Sequence, residues 1–444
     1  MKCINKIRVI NLLTIVVLYF MSVFSGLRCF EIATGLIVMI ALAMSFPFIN
    51  RANKLVSFIL FIFATLILVF SKADFLDYVD GFRKNSGLLV LFLLVPLLGI
   101  PFKFDKYQNA LKHFYENNIK NGFHFYFFSY FTSFLLGGVI NVAAIPIVYE
   151  VSSSGSEIYS GDCLSKAIVR GNSLGVLWSP SYLSIAVVLS FIEIPWVKLL
   201  PYGFGLALLG VFIGSLVEYV FIKNISNDVK VYKTQNANRD LWELFGVGLF
   251  LLLSIIFLNQ TTSYGVLTIV PLVSIVFPVL WALVFKRFEF YNVKVSEFLK
   301  TGLLNADNQL VLFGLAGYLG YAMQRSGISE KISNFFDTTE LTGSILFSFV
   351  LIILISLASV FGLHPLITVS AMASAFSGTS NPLFMALILL ISYSIAVNIS
   401  PFSATVLITA GLLKESPFLT GIRNNWLYCF LYGITSCIVV NLIL

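Results

Sequence analysis

Charge is scarce in this sequence. Asp, Glu, Lys and Arg together make up 11% of its 444 residues, against 58% hydrophobic ones. The polar segments between its apolar runs extend to roughly 15–20 residues at most, too short for a soluble catalytic domain. Histidine occurs three times, and the five cysteines (Cys3, Cys29, Cys163, Cys429, Cys437) are scattered through or beside apolar runs. That usage gives neither metal-ligand spacing nor a disulfide framework. No nucleophile–base pair and no phosphate-cradling glycine loop stands out, so an enzyme is not expected and no cofactor is called for. The net charge of +7 needs no nucleic-acid partner, because basic loops on one side of a membrane account for it.

What the sequence has instead is long apolar runs. They predict an all-α polytopic membrane protein in contact with the lipid bilayer, with about eleven transmembrane helices. Spans are expected near 9–27, 30–49, 55–71, 87–101, 163–190, 201–222, 243–258, 265–285, 303–323, 383–413 and 424–444. The basic, apolar first 27 residues resemble a signal peptide. Arg28-Cys29-Phe30 lacks the small-residue cleavage pattern, so they count as the first span. Two further apolar segments, 123–151 and 342–376, are long for one helix and carry helix-weakening residues midway. These are Gly137-Gly138 and Asn141 in the first, and Gly362, His364 and Pro365 in the second. Each is expected to be a re-entrant hairpin, entering and leaving on one side. On that reading twenty Lys and Arg fall on one side and seven on the other. The bias puts the N-terminus inside and the C-terminus outside.

Two spans carry polar breaks. Ser400-Pro401, within N-I-S-P-F-S-A-T, interrupts the span at 383–413, and Ser179-Pro180 interrupts the one at 163–190. Proline lacks an N–H and clashes with the carbonyl one turn back, so the helix is expected to open at each. In hydrocarbon the freed backbone groups persist only inside protein or against a watery cavity, which marks a binding site. The two Ser-Pro pairs lie 221 residues apart, and the same offset relates Leu89-Val90-Leu91-Phe92 to Leu310-Val311-Leu312-Phe313. The chain therefore reads as a first helix (1–29), a repeat (30–222), a cytoplasmic linker (223–241) and a second repeat (242–444). On the expected topology the repeats are inverted and the two broken helices are discontinuous. Polar amphipathic pieces after the matched spans, Lys103 to Asn121 and Gln324 to Phe336, are expected to lie in the membrane interface.

These residues resemble the ion transporter superfamily, and most of all its divalent anion:sodium symporters, over nearly the whole chain. L-F-G-L-A-G-Y-L-G-Y-A-M-Q-R-S-G-I-S-E-K-I, from Leu312, resembles that family's glycine-rich span with its Ser-Gly turn. N-V-A-A-I-P-I, from Asn141, resembles its hairpin tip, and G-V-L-W-S-P-S and N-I-S-P-F-S resemble its two helix breaks. The family's Ser-Asn-Thr tip signature is reduced to Asn141 in the first hairpin and replaced by Leu363-His364-Pro365 in the second. S-L-G-V-L-W-S-P-S also resembles the large membrane subunit of tripartite periplasmic (TRAP) transporters, which works with a binding protein and a small subunit. The resemblance implies a homodimeric, elevator-type secondary transporter in a bacterial inner membrane.

The site expected from these features has two cradles. Gly171, Asn172, Ser173, Gly175, Ser179 and Pro180 form one, and Asn398, Ser400, Pro401 and Ser403 the other, with Asn141 at the first tip. Helix N-termini there favour an anion, and carbonyls and hydroxyls favour a coupling Na⁺ near Asn141, Ser173 and Ser400. Each polar residue has a second reading, as a hydrogen-bonding contact between helices. Arg170 either contacts an anionic substrate or snorkels to the interface. His364 either binds substrate or proton, or is a structural, hydrogen-bonded histidine.

Overall fold

The computed structural model describes residues 2–119, 121–156, 161–222, 237–338 and 344–444. Among the described residues all regular structure is helical, and ten segments are long and apolar enough to cross a membrane. The chain is a polytopic helical membrane protein. Large apolar side chains such as Phe58, Phe63, Phe212, Phe257 and Ile353 stand more than half exposed. Hydrocarbon tolerates such a surface where water does not.

The count agrees with the about eleven spans expected, and nine of the ten fall on expected spans. Gly122–Ser152 is among them by length and composition, although it turns back on itself at Asn141. The segments 163–190 and 303–323 are not among them. The first is interrupted at Trp178–Tyr182, and the second carries Asp307, Asn308, Gln309, Gln324 and Arg325 near its ends. The expected span 87–101 is also not one regular helix. Ser86–Leu94 is α-helical and wholly buried, but Pro96 and Pro101 withhold N–H groups and the chain tightens into 3₁₀ turns, Val95–Gly99 and Pro101–Lys103. A short amphipathic helix, Phe75–Arg83, precedes it, started by a reciprocal Asp74–Asp77 capping box.

Helices Gly122–Ile140 and Ala144–Ser156 form a hairpin. Its two limbs meet where the Ser129 and Ser152 hydroxyls lie 3.3 Å apart. Ile345–Val360 and Pro365–Ala375 form a second, turning at Phe361 and Gly362. Each hairpin is followed by a broken helix: Gly161–Leu174 then Leu183–Phe191, and Pro382–Ile399 then Ala404–Leu413. Gly171 allows the first hairpin to pack backbone to backbone, since a Cβ there would sit 2.5 Å from the Tyr130 carbonyl oxygen. Asp105–Asn118 and Ile328–Thr338 are helical within the two amphipathic stretches. Of the linker 223–241, residues 223–236 lie outside the described residues. Asp307–Arg325 packs on Arg51–Phe70 and Phe75–Arg83, and Lys2–Ser25 packs against Arg28–Ser45.

Candidate functional site

At the first tip, Asn141 takes φ 58° and ψ −141°, a backbone state that favours glycine, and its side-chain oxygen accepts from the Val142 N–H at 2.8 Å. One turn earlier, the Gly138 carbonyl accepts from the hydroxyls of Ser179 and, at 3.2 Å, Ser181. The helix into the first break ends as the Ser179 N–H bonds the Gly175 carbonyl at 3.0 Å. After Pro180 the chain turns, Tyr182 N–H bonding Ser179 O at 3.1 Å, and helix resumes at Leu183. Thus the broken helix is tied by its serine to the hairpin before it.

The same arrangement recurs 221 residues later. Ser400 donates to the Ser359 carbonyl at 2.7 Å, and these two follow Ser179 and Gly138 by that offset. Ser400 N–H bonds Ala396 O at 2.9 Å, and Ser403 N–H bonds Ser400 O at 3.2 Å, matching the two bonds around Ser179. The hydroxyls of Ser179 and Ser400 each accept from the N–H two residues on, both at 3.3 Å. Gly362, the counterpart of Asn141, also has positive φ, 98°. Two counterpart pairs touch each other directly. Ser394 donates to the Ser173 carbonyl at 3.1 Å, and the rings of Phe92 and Phe313 stack at 5.0 Å.

Between the breaks lies a buried polar cluster. Asn398 donates to the Ser173 hydroxyl at 2.6 Å and to the Ser394 carbonyl at 2.9 Å. Asn172 donates to the Asn141 carbonyl at 3.0 Å and accepts from Thr405 at 3.3 Å. Ser403 caps the resumed helix, accepting from Val406 N–H at 3.2 Å and donating to Val397 O at 2.7 Å. Asn172, Ser173, Ser179, Asn398, Ser400 and Ser403 are all buried. The Asn398 side-chain oxygen is buried and has no partner among the described residues, and a bare buried acceptor is costly unless something fills its place. Asn172, Ser173, Asn398 and Thr405 thus link both broken helices and the first tip through one set of hydrogen bonds.

Several sequence-predicted residues make further contacts. Gly171 and Gly175 serve close packing: a Cβ at Gly175 would lie 3.1 Å from the Gly138 nitrogen. His364 caps Pro365–Ala375, its Nδ1 accepting from Leu366 N–H at 3.3 Å. Arg170 is buried and faces away from the cluster. Its guanidinium donates to Glu218 at 3.1 Å, Tyr126 at 3.0 Å, Asn425 at 2.9 Å and the Asn424 carbonyl at 2.9 Å. Glu218, also held by Lys166 at 2.8 Å, supplies the countercharge a buried guanidinium requires. Sequence reasoning missed it. The signal was there, as the lone carboxylate in the apolar run 201–222.

Beside the first break an apolar cavity of about 540 Å³ separates Phe131 and Leu135 of the hairpin from Leu244 and Leu252 of helix Ala237–Thr261. The second tip is not covered in this way: Phe361 is 84% exposed and Phe402 beside Gly362 is 49% exposed.

Two hairpins whose carbonyls are held by the serines of two broken helices define a repeat-built, polytopic membrane fold with a buried polar centre. The chain is similar in structure to the YdaH transporter of Alcanivorax borkumensis, whose crystal structure is described as revealing an unusual topology. The TM-score is 0.51 at 12% identity, over 87% of this chain and 98% of that one, a likeness of fold. No family model matches the sequence, and no curated protein does.

Proposed function

We propose that this protein is a secondary active transporter that carries a small organic or inorganic anion, with Na⁺ as the coupling ion. The observation that supports this most is the recurrence of the hairpin-carbonyl to break-serine bond, Ser179 to Gly138 and Ser400 to Ser359. Repeats of opposite orientation that meet at broken helices give a site two equivalent gates, which is what alternating access requires. Na⁺ would sit among the oxygens of Asn141, Ser173, Asn398 and Ser400, where Asn398 has an unfilled acceptor. The N-termini of the resumed helices, Leu183–Phe191 and Ala404–Leu413, would receive the anion. Both hairpins and both broken helices would move together as an elevator against the remaining body, within a homodimer as the resemblance to divalent anion:sodium symporters implies. Arg170, engaged by Glu218, has no part in this site.

The test is uptake by the purified protein in proteoliposomes, using a panel of organic and inorganic anions with Na⁺ and proton gradients imposed separately. Accumulation of at least one anion driven by an inward Na⁺ gradient is expected. Uptake that follows the proton gradient alone would remove the Na⁺ assignment. Uptake that appears only with added partner subunits would favour the TRAP-like reading of S-L-G-V-L-W-S-P-S.

A further inference from the structure

A polar cavity of about 600 Å³ lies away from the breaks, lined by Tyr19 near the end of the first helix, Asp80 and Arg83 of Phe75–Arg83, Lys84 just after it, and Arg325. Its neighbouring carboxylates are already matched. Asp80 takes Arg28 at 2.6 Å and Arg83 at 3.4 Å, and Glu31 takes the same two arginines at 2.7 and 3.3 Å. Asp77 takes Arg325 at 3.3 Å and the Tyr321 hydroxyl at 2.8 Å. Three carboxylates are thus held by three arginines, and Lys84 is left over. Half-buried on the cavity wall, it forms no ion pair or hydrogen bond among the described residues, and Glu193 acts on it only from beyond ion-pair reach.

An ammonium with no ion-pair partner among the described residues, in a cavity of this size lined also by Arg83 and Arg325, is the chemistry that receives an oxyanion. We propose that this cavity binds a carboxylate or phosphate group through Lys84, with Arg83 and Arg325 at its sides. A free solute anion and an anionic lipid headgroup share that chemistry. On the topology proposed above this end faces outside, so a solute anion would be held there before it reaches the breaks. That placement rests on the transport reading, whereas the binding does not.

The experiment uses the full chain in phosphatidylcholine nanodiscs and follows thermal unfolding. Succinate and inorganic phosphate are titrated separately, against chloride at matched ionic strength, and a third arm adds phosphatidylglycerol to the disc. A saturable rise in unfolding temperature with a probe anion or with phosphatidylglycerol is expected, and the arm that gives it identifies the source. Lys84→Gln should weaken the apparent affinity about tenfold or more, since one charge-assisted bond is lost, and Lys84→Arg should retain it. Should Lys84→Gln fail to assemble, Arg325→Gln, whose side chain is 48% exposed, should weaken the same signal severalfold. No shift that depends on Lys84 or Arg325 in any arm would overturn the proposal. So would an anion signal abolished by Ser400→Leu and kept in Lys84→Gln, because that would put the anion at the breaks. A Lys84-dependent signal without anion uptake would uphold the cavity and count against the transport reading alone.

Discussion

At the residue scale, all three nitrogens of the Arg170 guanidinium donate hydrogen bonds inside the protein, and Glu218 faces them at 3.1 Å. Removing one member of a buried pair leaves the other charge exposed to low dielectric, at a cost of about 3–5 kcal/mol. Lys166 keeps one Glu218 oxygen paired, so Arg170→Gln should fall at or below the lower end of that range. Thermal unfolding of the purified protein measures it. The double variant Arg170→Gln/Glu218→Gln should recover part of the loss, and Arg170→Lys should leave half-saturation of uptake unchanged. The break serines behave differently: Ser179→Leu and Ser400→Leu each remove the tie to a hairpin carbonyl. Either should abolish uptake at normal membrane abundance. Normal uptake by both variants would reduce the breaks to kinks.

At the scale of elements, the first hairpin turns on one backbone conformation. Asn141 holds φ 58° and ψ −141°, while its counterpart in the second hairpin is already glycine, Gly362. Asn141→Gly should therefore preserve or raise thermal stability, and Asn141→Val should lower it by about 1–3 kcal/mol, the scale of such backbone strain. If the Asn141 oxygens also serve a cation, the glycine variant will keep its fold and show a weaker Na⁺ dependence of uptake. Much of this architecture was legible in the sequence. Ser179-Pro180 and Ser400-Pro401 announce the breaks, because proline's missing N–H acts locally whatever surrounds it. Pro96 and Pro101 mark the 3₁₀ turns equally well, by the same local loss of N–H groups, so the segment 87–101 departs from a straight helix. The partners of Arg170 were not legible, since Glu218, Tyr126 and Asn425 come from distant parts of the chain and only packing brings them together. His364 became a helix cap for a local reason, its place immediately before Pro365 at a helix start.

At the scale of the whole molecule, the serine-to-carbonyl tie and the backbone bonds around each break serine recur at an offset of 221 residues, and Ser173 with Ser394 and Phe92 with Phe313 touch. The account's central claim is that these halves cross the membrane in opposite directions, so that one site is gated from both sides. Equivalent loops then lie on opposite faces: the one entering the first broken helix inside, the one entering the second outside. Asp162 and Ser380, both exposed, mark them. The most direct test is accessibility labelling of Asp162→Cys and Ser380→Cys in intact cells and in inverted vesicles, in a background from which the native cysteines have been replaced. The account predicts that a membrane-impermeant maleimide reaches residue 162 only from the cytoplasmic side and residue 380 only from outside. Labelling of both positions from the same side would contradict it.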